Sequence, residues 1–263
     1  MNTLSREANS RALAERVAET DYAAHVCEAI GRVAVAPDTA ALLCSMKRAV
    51  NSLGADAGVF TSFVLDDAAN ASYQSLLACD PLWGTEYARN FWFLNDPWLR
   101  HATGSASSIA SSELAPSTSA QSAVCEAAAR FGFLSAVVVP APSPAGHARV
   151  GALCLGSATR GYFERDGQQL FRFLAQSLAM ELHDWCYRRR RDELIAKVKI
   201  TDDDLTLLRH EQRYHSSKAI ASELKTTPRT IDCRFQRLTS RLGMANRRAA
   251  VRFAELYGLI PRE

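Results

Sequence analysis

The sequence predicts an α+β chain in which a sheet flanked by helices precedes a small all-helical domain. Valine-rich apolar segments, bounded by glycine, proline or aspartate, indicate strands over residues 58–65, 134–140 and 148–155. Apolar spacing and a high alanine content predict helices over 10–34, 37–53 and 120–131. From Ile200 onward short helices replace this mixture, and 263 residues are enough for two domains.

A long helix is predicted to close the N-terminal region. Apolar side chains recur at helical spacing over 163–187, and their stripe faces either the core or a dimer partner. The Ser- and Ala-rich segment 104–122 predicts a loop over the sheet, either a plain surface connection or a lid. A run of four arginines begins at Arg188 and indicates a domain boundary. We therefore predict domains at 1–187 and 200–263, joined by a linker at 188–199.

Composition narrows the class of protein. Hydrophobic residues make up 48% of the chain and charged residues 22%, which is typical of globular proteins. No apolar run reaches the roughly 18 residues that a membrane span requires, so we expect a cytoplasmic protein without a membrane segment. Seven cysteines without a CxxC pair fit neither a disulfide framework nor a zinc site. We expect reduced thiols and no bound metal.

Charge is divided unevenly along the chain. Residues 188–263 hold 18 lysines and arginines against 10 aspartates and glutamates, whereas residues 1–187 hold 13 against 18. A basic tail on an acidic body suggests that the tail meets a polyanion, although an inert basic domain has the same composition.

The basic tail carries helix signals in a characteristic order. Thr201 is placed to cap a helix over about 202–213, and a second helix is predicted over 216–224. After a turn at 225–227, Pro228 is suited to the first position of a third helix. Two short helices joined by a tight turn form the helix-turn-helix pattern.

The third helix is predicted to have one apolar and one polar face. The inward stripe consists of Ile231, Phe235, Leu238 and Leu242. The outward residues are Arg229, Thr230, Cys233, Gln236, Arg237 and Ser240. Arginine and glutamine suit hydrogen bonds to base edges, and threonine and lysine suit phosphates. A merely solvated polar face has the same pattern.

Four ordered motifs in this region resemble the LuxR-type helix-turn-helix. They are Thr230-Ile231, Arg241-Leu242-Gly243, Asn246-Arg247 and Gly258-Leu259-Ile260. The resemblance implies binding to double-stranded DNA. It places Asp232, Cys233 and Gln236 toward bases and Ser216, Lys218 and Thr230 near phosphates, and Arg229 and Arg237 complete the candidate DNA-binding set.

Three residues depart from that family's pattern. Asp204 stands where the family has glutamate, and Tyr214 where it has a glycine that opens the turn. If that glycine has a positive φ, Tyr214 needs a different backbone. Asp232 is acidic on a DNA-reading helix, so we expect it to pair with Arg229 or to accept from a cytosine amine.

The N-terminal region resembles the quorum-sensing branch of the same family. A phosphorylation-receiver domain is excluded because no lysine occurs between Lys47 and Lys197. Trp83, Tyr87 four residues later, and Asp96-Pro97 have that branch's spacing, and Phe-Gly-Phe at 131–133 also matches. The resemblance implies an α/β/α sandwich with a central antiparallel sheet that binds an acyl-homoserine lactone. In it, the Trp83 indole donates to the lactone carbonyl, the Asp96 carboxylate accepts from the amide N–H, and Tyr87 packs beside the ring.

The pocket pattern of that branch is altered here. Its usual Tyr, second Trp, Gly and Ser or Thr correspond to Cys79, Ser111, Ala136 and Cys154, and Trp98 adds bulk beside Asp96. Two hypotheses remain open. The protein is either a receptor for an altered ligand or an orphan regulator in which the matching residues are only part of the hydrophobic core. The candidate ligand-binding residues are Trp83, Tyr87, Asp96, Trp98, Cys79, Ser111 and Cys154.

These patterns together predict a DNA-binding transcription regulator that forms a homodimer. An enzyme is not expected, because GxSxG, HExxH, GxxxxGK and GxGxxG motifs are missing and the six histidines are not expected to cluster. The alternative hypothesis is an interaction protein that blocks another LuxR-type regulator by forming a heterodimer with it. Tyr214 and Asp232, which depart from the family pattern, motivate this hypothesis. No cofactor is expected beyond a small-molecule signal such as a lactone.

Overall fold

A computed structural model describes residues 12–65, 71–143, 149–164 and 168–262. Its contacts divide the chain into two compact units, residues 1–185 and 186–263. Helix continues through 188–198, where the sequence predicts a linker. The predicted domains at 1–187 and 200–263 and the predicted linker at 188–199 remain a prediction, because the division by contacts does not test them. Within the described ranges, no helix is long and apolar enough to cross a membrane.

The first unit contains the predicted central antiparallel sheet. Its strands are β1 Ala57–Leu65, β2 Ala71–Ala78, β3 Ile109–Ala110, β4 Ser135–Pro142 and β5 Arg149–Ser157. In the described residues they form one five-stranded sheet in the order β2-β1-β5-β4-β3. Three of these strands match the predicted segments. β2 and β3 lie at the edges of the sheet and were not predicted.

Helices surround this sheet in the first unit. They are α1 Leu13–Val17, α2 Tyr22–Ala34, α3 Thr39–Leu53, α4 Leu82–Arg89, α5 Pro97–Gly104, α6 Ser119–Arg130 and α7 Gln168–Val198. The single helix predicted over 10–34 is wrong within the described residues. Thr20 and Asp21 interrupt it, because short polar side chains compete for backbone hydrogen bonds and favour turns. The predicted closing helix is described from Gln168, after a turn at 163–164, and it runs on to Val198.

The predicted loop over 104–122 is also partly wrong. It contains β3, a 3₁₀ turn over Ser111–Glu113, and the first turn of α6. Ile109 and Ala110 pair with Val138 and Val137 of β4. The strand therefore depends on a partner remote in sequence, which local composition does not reveal.

Alternating residues of the sheet bury its two faces against different helices. Val59, Val138 and Ala152 belong to one core together with aromatic residues from α4 and α5. Phe60, Leu153 and their neighbours on the opposite face are also fully buried. On that face Gly58 lies so close to α3 that an added Cβ would be 2.6 Å from a Val50 methyl group. This arrangement confirms the predicted α/β/α sandwich.

The second unit contains the predicted short helices. They are α8 Asp202–Gln212, α9 Ser217–Glu223, α10 Pro228–Leu242 and α11 Arg247–Leu256. Side chains of Thr201, Ser216, Thr227 and Asn246 accept hydrogen bonds from first-turn amides and so begin the four helices. The predicted inward stripe of α10 is buried. α9 and α10, joined by the turn at 224–227, have the predicted helix-turn-helix form.

Tyr214 keeps a left-handed backbone, so the expectation that it needs a different one is wrong. Its φ is 63°. The Tyr214 amide donates to the Glu211 carbonyl and the His215 amide to the His210 carbonyl, each at 3.0 Å. This is the hydrogen-bond pattern of a Schellman helix end, with tyrosine at the position that glycine usually occupies. Arg248 offers a compensating contact, because its guanidinium lies 3.8 Å from the Tyr214 ring centre.

Candidate ligand cavity and recognition helix

An aromatic cluster covers one face of the sheet. Trp83 and Tyr87 lie one turn apart on α4, with ring centres 5.4 Å apart, and both are buried. The Trp83 ring also packs against Phe131 at 5.6 Å and Phe133 at 6.1 Å. The predicted Trp and Tyr spacing therefore puts both rings on the same helix face, beside the Phe-Gly-Phe segment.

Asp96 is buried at the centre of a small hydrogen-bond network. Its Oδ1 atom accepts from the amides of Trp98 at 2.8 Å and Leu99 at 3.3 Å, which caps α5. Its Oδ2 atom accepts from the Tyr87 hydroxyl at 2.7 Å. Because each carboxylate oxygen has two lone-pair positions, Oδ2 retains one acceptor position for a further donor.

Burial sets the ionisation of the groups in this network. Desolvation raises the pKa of Asp96, and the hydrogen bonds from Tyr87, Trp98 and Leu99 oppose that rise. Burial and the nearby Asp96 charge together raise the pKa of Tyr87 and of the Cys154 thiol. Tyr87 therefore stays a hydroxyl donor and Cys154 stays a neutral thiol.

A cavity of about 90 Å³ lies beside these residues. Five of the seven predicted ligand residues line it: Trp83, Tyr87, Asp96, Trp98 and Cys154. Five residues of β1 and β2 line it too and were not predicted as ligand residues: Val59, Thr61, Tyr73, Ser75 and Leu77. Tyr73, Ser75 and Leu77 were missed because β2 was not predicted. Val59 and Thr61 lie on the predicted strand β1, but no motif marked them as ligand residues.

Cys79 and Ser111 are placed differently from the other predicted ligand residues. Neither is among the residues that line the cavity. The Cys79 thiol donates to the carbonyl of Asp80 at 3.7 Å, and burial raises its pKa to about 12. The Ser111 hydroxyl accepts from the Ala136 amide at 3.1 Å and so ties the 3₁₀ turn to β4.

Trp98 occupies space in the cavity wall. It is 4% exposed, and its ring centre lies 6.0 Å from that of Phe133. Its indole Nε1 is buried and has no hydrogen-bond partner among the described residues. A buried polar group without a hydrogen bond lowers stability by about 1–3 kcal/mol. Packing therefore keeps the Trp98 side chain in place, although its indole N–H is not hydrogen-bonded.

The predicted DNA-binding residues lie on one exposed region of the second unit. Ser216 caps α9. Thr230 is half-buried, and its hydroxyl lies 2.9 Å from that of Thr227. The remaining predicted residues are exposed: Lys218, Arg229, Asp232, Cys233, Gln236 and Arg237. Together they put a mixed polar surface, with three cations, on α9 and α10.

Asp232 is engaged within the protein, and its partner is Arg247 rather than the predicted Arg229. The Arg247 guanidinium donates to Asp232 Oδ1 at 2.6 Å, and the Ser217 hydroxyl donates to the same oxygen at 2.6 Å. These hydrogen bonds lower the pKa of Asp232. Arg247 also donates to Ser217 and stacks 4.2 Å from the Phe235 ring centre. The network ties together the beginnings of α9, α10 and α11.

Asp204 keeps a pairing role despite its shorter side chain. Its carboxylate accepts from the Thr201 amide at 3.0 Å, while Thr201 accepts from the Asp204 amide, which completes a capping box. The same carboxylate oxygen lies 2.5 Å from the Arg241 guanidinium. Asp204 thus joins α8 to the end of α10.

Two of the six histidines approach each other, which contradicts the expectation that they do not cluster. The Nδ1 atoms of His210 and His215 are 3.0 Å apart. Glu223 lies beside them, with Oε1 at 3.8 Å from His210 Nε2.

Comparison with known proteins identifies the first unit and the overall fold. A family model described as the autoinducer binding domain matches residues 38–185. A search of curated protein sequences gives no match. Among solved structures, SdiA in complex with octanoyl-rac-glycerol aligns with a TM-score of 0.70 at 16% identity, over 93% of this chain and 99% of that chain. A crystal structure of Escherichia coli SdiA aligns at 0.69 and 16% identity, over 90% and 98% of the two chains.

A third structure extends the likeness. The lactone-dependent LuxR family transcription factor CepR2 from Burkholderia cenocepacia aligns with a TM-score of 0.53 at 19% identity, over 64% of this chain and 94% of that chain. At these identities the solved structures establish the fold. The family model matches more than half of the residues of this chain, so the chain belongs to the autoinducer binding domain family.

Proposed function

We propose that this protein is a DNA-binding transcription regulator that binds a small, mostly apolar signal in its first unit and DNA with its second. The signal is an acyl-homoserine lactone or a related neutral acyl compound. The protein acts as a homodimer in the cytoplasm, where its DNA lies. The family is one of receptors and regulators, which argues against an enzyme.

The buried pair Asp96 and Tyr87 carries the ligand half of this proposal. Asp96 Oδ2 has an acceptor position left for a ligand N–H or O–H, and aromatic rings form the adjoining wall. An apolar cavity with a few convergent polar groups is what orients a small neutral ligand. In this proposal the Trp83 indole donates to the ligand carbonyl. The complex of SdiA with octanoyl-rac-glycerol supports the inclusion of acylglycerols beside lactones among the ligands to be tested.

Cavity size favours a second candidate, a ligand-independent orphan regulator. About 90 Å³ is well below the roughly 300–1,000 Å³ usual for small-molecule pockets. An acyl chain enters only if Trp98 or neighbouring rings move. If they do not move, the aromatic cluster serves as core and DNA binding is constitutive.

The exposed face of α9 and α10 supports the DNA half. Arg229, Gln236 and Arg237 are exposed on α10, which is the second helix of the helix-turn-helix and the one that enters the major groove in such motifs. Since Asp232 is already paired with Arg247, we assign base contacts to Cys233, Gln236 and Arg237. Ser216, Lys218 and Thr230 are assigned to phosphates.

The heterodimeric blocking protein has less support. It was motivated by Tyr214 and Asp232, and each has a folding role in the second unit. Tyr214 forms the helix end and packs on Arg248, and Asp232 holds Arg247. Neither contact requires that DNA binding be lost.

Thermal melting of the full chain tests the ligand half. Lactones of increasing acyl length and octanoyl-rac-glycerol are added to the wild type and to Asp96→Asn. A ligand at about 100 times its Kd stabilises the folded state by about 2.7 kcal/mol, which raises the wild-type Tm. Asp96→Asn should show a smaller rise. If no compound raises the wild-type Tm, the orphan regulator replaces the receptor.

Salt-dependent binding to duplex DNA tests the other half. Arg237→Ala should weaken binding to an operator sequence by about fivefold or more, because a base-contacting arginine is worth about 1–3 kcal/mol. Arg252→Ala, which removes an exposed arginine on α11, is the matched control. Equal binding by both variants would remove Arg237 from the interface. No salt-dependent binding by the wild type would reject the DNA half.

A further inference from the structure

We propose that His210, His215 and Glu223 form a binding site for a divalent transition metal ion, with Zn²⁺ as the reference ion, in the helix-turn-helix unit. One imidazole nitrogen from each histidine and one Glu223 carboxylate oxygen all lie within 4.8 Å of one another. Two nitrogens and one oxygen are a donor set that suits Zn²⁺, Cu²⁺ and Ni²⁺ better than Mg²⁺ or Ca²⁺. This site is independent of the proposed signal cavity.

The end of α8 explains why the two histidines meet. In a Schellman helix end, the third residue from the helix C-terminus and the second residue beyond the cap approach each other, usually through an apolar contact. Here those positions are His210 and His215, and the His215 amide donates to the His210 carbonyl at 3.0 Å. The left-handed Tyr214 between them closes the turn. Two imidazoles therefore stand where apolar side chains are usual.

The distances suit coordination after a small adjustment. Bonds of about 2.0 Å to a tetrahedral ion put neighbouring donor atoms about 3.3 Å apart, and the two histidine Nδ1 atoms are 3.0 Å apart. Glu223 has a side chain that is 63% exposed, so it is free to rotate toward the ion. His210 is 10% exposed, which fixes one donor in place. Water is available to complete the coordination on the exposed side.

The ion would join three parts of the DNA-binding unit. His210 lies in the last turn of α8, His215 precedes the Ser216 cap of α9, and Glu223 is the last residue of α9. A bound ion would hold α9 against the end of α8. It would thereby stabilise α9, the helix that packs against the proposed DNA-reading helix α10. Metal binding is therefore expected to raise the melting temperature of this unit.

Titration calorimetry on the chelator-treated full-length protein tests the site, with ZnCl₂ and MgCl₂ as the probes. His215→Ala and Glu223→Gln are the test variants because both side chains reach solvent, whereas His210 is buried. His25→Ala is the matched control, since His25 is an exposed histidine beside a carboxylate, Asp21, in the first unit. The exposed thiols of Cys27, Cys44 and Cys233 are present in all four proteins, so any Zn²⁺ bound by them is common to all, and differences between variants isolate the proposed site.

The expected result is that the wild type binds one Zn²⁺ equivalent more than His215→Ala does, that Mg²⁺ does not displace it, and that His25→Ala retains it. His215→Ala should lose it, and Glu223→Gln should weaken it by about tenfold or more. Zn²⁺ should also raise the melting temperature of the wild type and of His25→Ala, but not of His215→Ala. Equal Zn²⁺ binding by wild type and His215→Ala, or no binding at all, would overturn the proposal and leave a histidine–histidine hydrogen bond.

Discussion

The two units treat the same kind of side chain in opposite ways. In the first unit Asp96 is buried beneath aromatic rings, and desolvation raises its pKa. In the second unit Asp232 is exposed at the beginning of α10, and its partners Ser217 and Arg247 lower its pKa. The Asp96 carboxylate lines a mostly aromatic cavity and has an acceptor position left over, whereas the Asp232 carboxylate is paired with Arg247 on an exposed surface. The difference fits the proposed roles, in which the first unit receives a neutral molecule and the second meets a polyanion.

Trp98→Ala is expected to have the largest effect on the first unit. Removal of a buried tryptophan costs about 3–5 kcal/mol, and the loss should fall near the lower value because an unpaired indole N–H leaves with the ring. Urea denaturation measures the free energy of unfolding. Trp92→Ala is the control, since the Trp92 ring is only half-buried and should cost less.

The same variant sharpens the contrast between receptor and orphan. Trp98→Ala enlarges the cavity, so it should bind long-chain lactones more tightly than the wild type does. If the two proteins have equal ligand affinities, Trp98 does not limit the cavity.

Asp96→Ala is expected to destabilise the first unit by about 2–4 kcal/mol. It removes the cap of α5 and leaves the buried Tyr87 hydroxyl without its acceptor. Asp38→Ala removes an exposed cap of the same residue type from α3 and should cost about 1 kcal/mol. Urea denaturation of both variants compares them, and similar losses would show that burial of Asp96 adds nothing.

Asp96 is also expected to shape the pH dependence of stability. Its pKa is raised above the usual 3.8, so between that value and the raised one the folded state binds more protons than the unfolded state. This contribution to the free energy of unfolding is full at low pH and is lost as pH rises through the raised pKa. Asp96→Asn should flatten that fall relative to the wild type when unfolding is followed at successive pH values above 3.8. Parallel pH profiles would contradict the assignment.

Asp232→Asn is expected to strengthen DNA binding by about three- to tenfold at low salt. It removes a negative charge from the proposed DNA surface and releases Arg247 toward phosphate, which should steepen the salt dependence by about one unit of slope. Fluorescence anisotropy with labelled duplex at several salt concentrations measures both quantities. Asp203→Asn, whose 3.8 Å pair with Arg234 is looser, is the control. A fall in affinity would mean that Asp232 itself reads a base.

Tyr214→Gly is expected to have the smallest effect, within about 1 kcal/mol. Glycine removes the strain of the positive φ, which stabilises the folded state. It also loses the stacking on Arg248 and raises the entropy of the unfolded chain, and both effects destabilise the folded state, so the changes offset each other. Tyr214→Val should be clearly less stable than Tyr214→Gly, because a β-branched side chain is poorly tolerated at a positive φ. Thermal melting that ranks valine equal to glycine would argue against the left-handed turn.

The helices of the second unit were predictable because their signals are local. Thr227 followed by Pro228 fixes where α10 begins, and the stripe from Ile231 to Leu242 fixes its buried face. The resemblance carried by Trp83, Tyr87 and Asp96 likewise predicted three of the residues that line the cavity. In each case the residues that carry the signal are close in sequence.

The missed features depend on tertiary contacts. β2 becomes a strand by pairing with β1, so Tyr73 and Ser75 escaped notice as cavity residues. The pairing of Asp232 with Arg247 joins two helices across 15 residues. His210 and His215 meet only because Tyr214 adopts a left-handed conformation that its side chain disfavours.

We further propose that a molecule bound in the first unit changes how tightly the second unit binds DNA. This proposal is tested most directly by the Kd of the full-length protein for its duplex, measured with and without a compound that raises its Tm. We expect the Kd for DNA to change by at least about fivefold, the lower end of typical coupling between two sites. A compound that stabilises the protein but leaves the DNA Kd unchanged would contradict it.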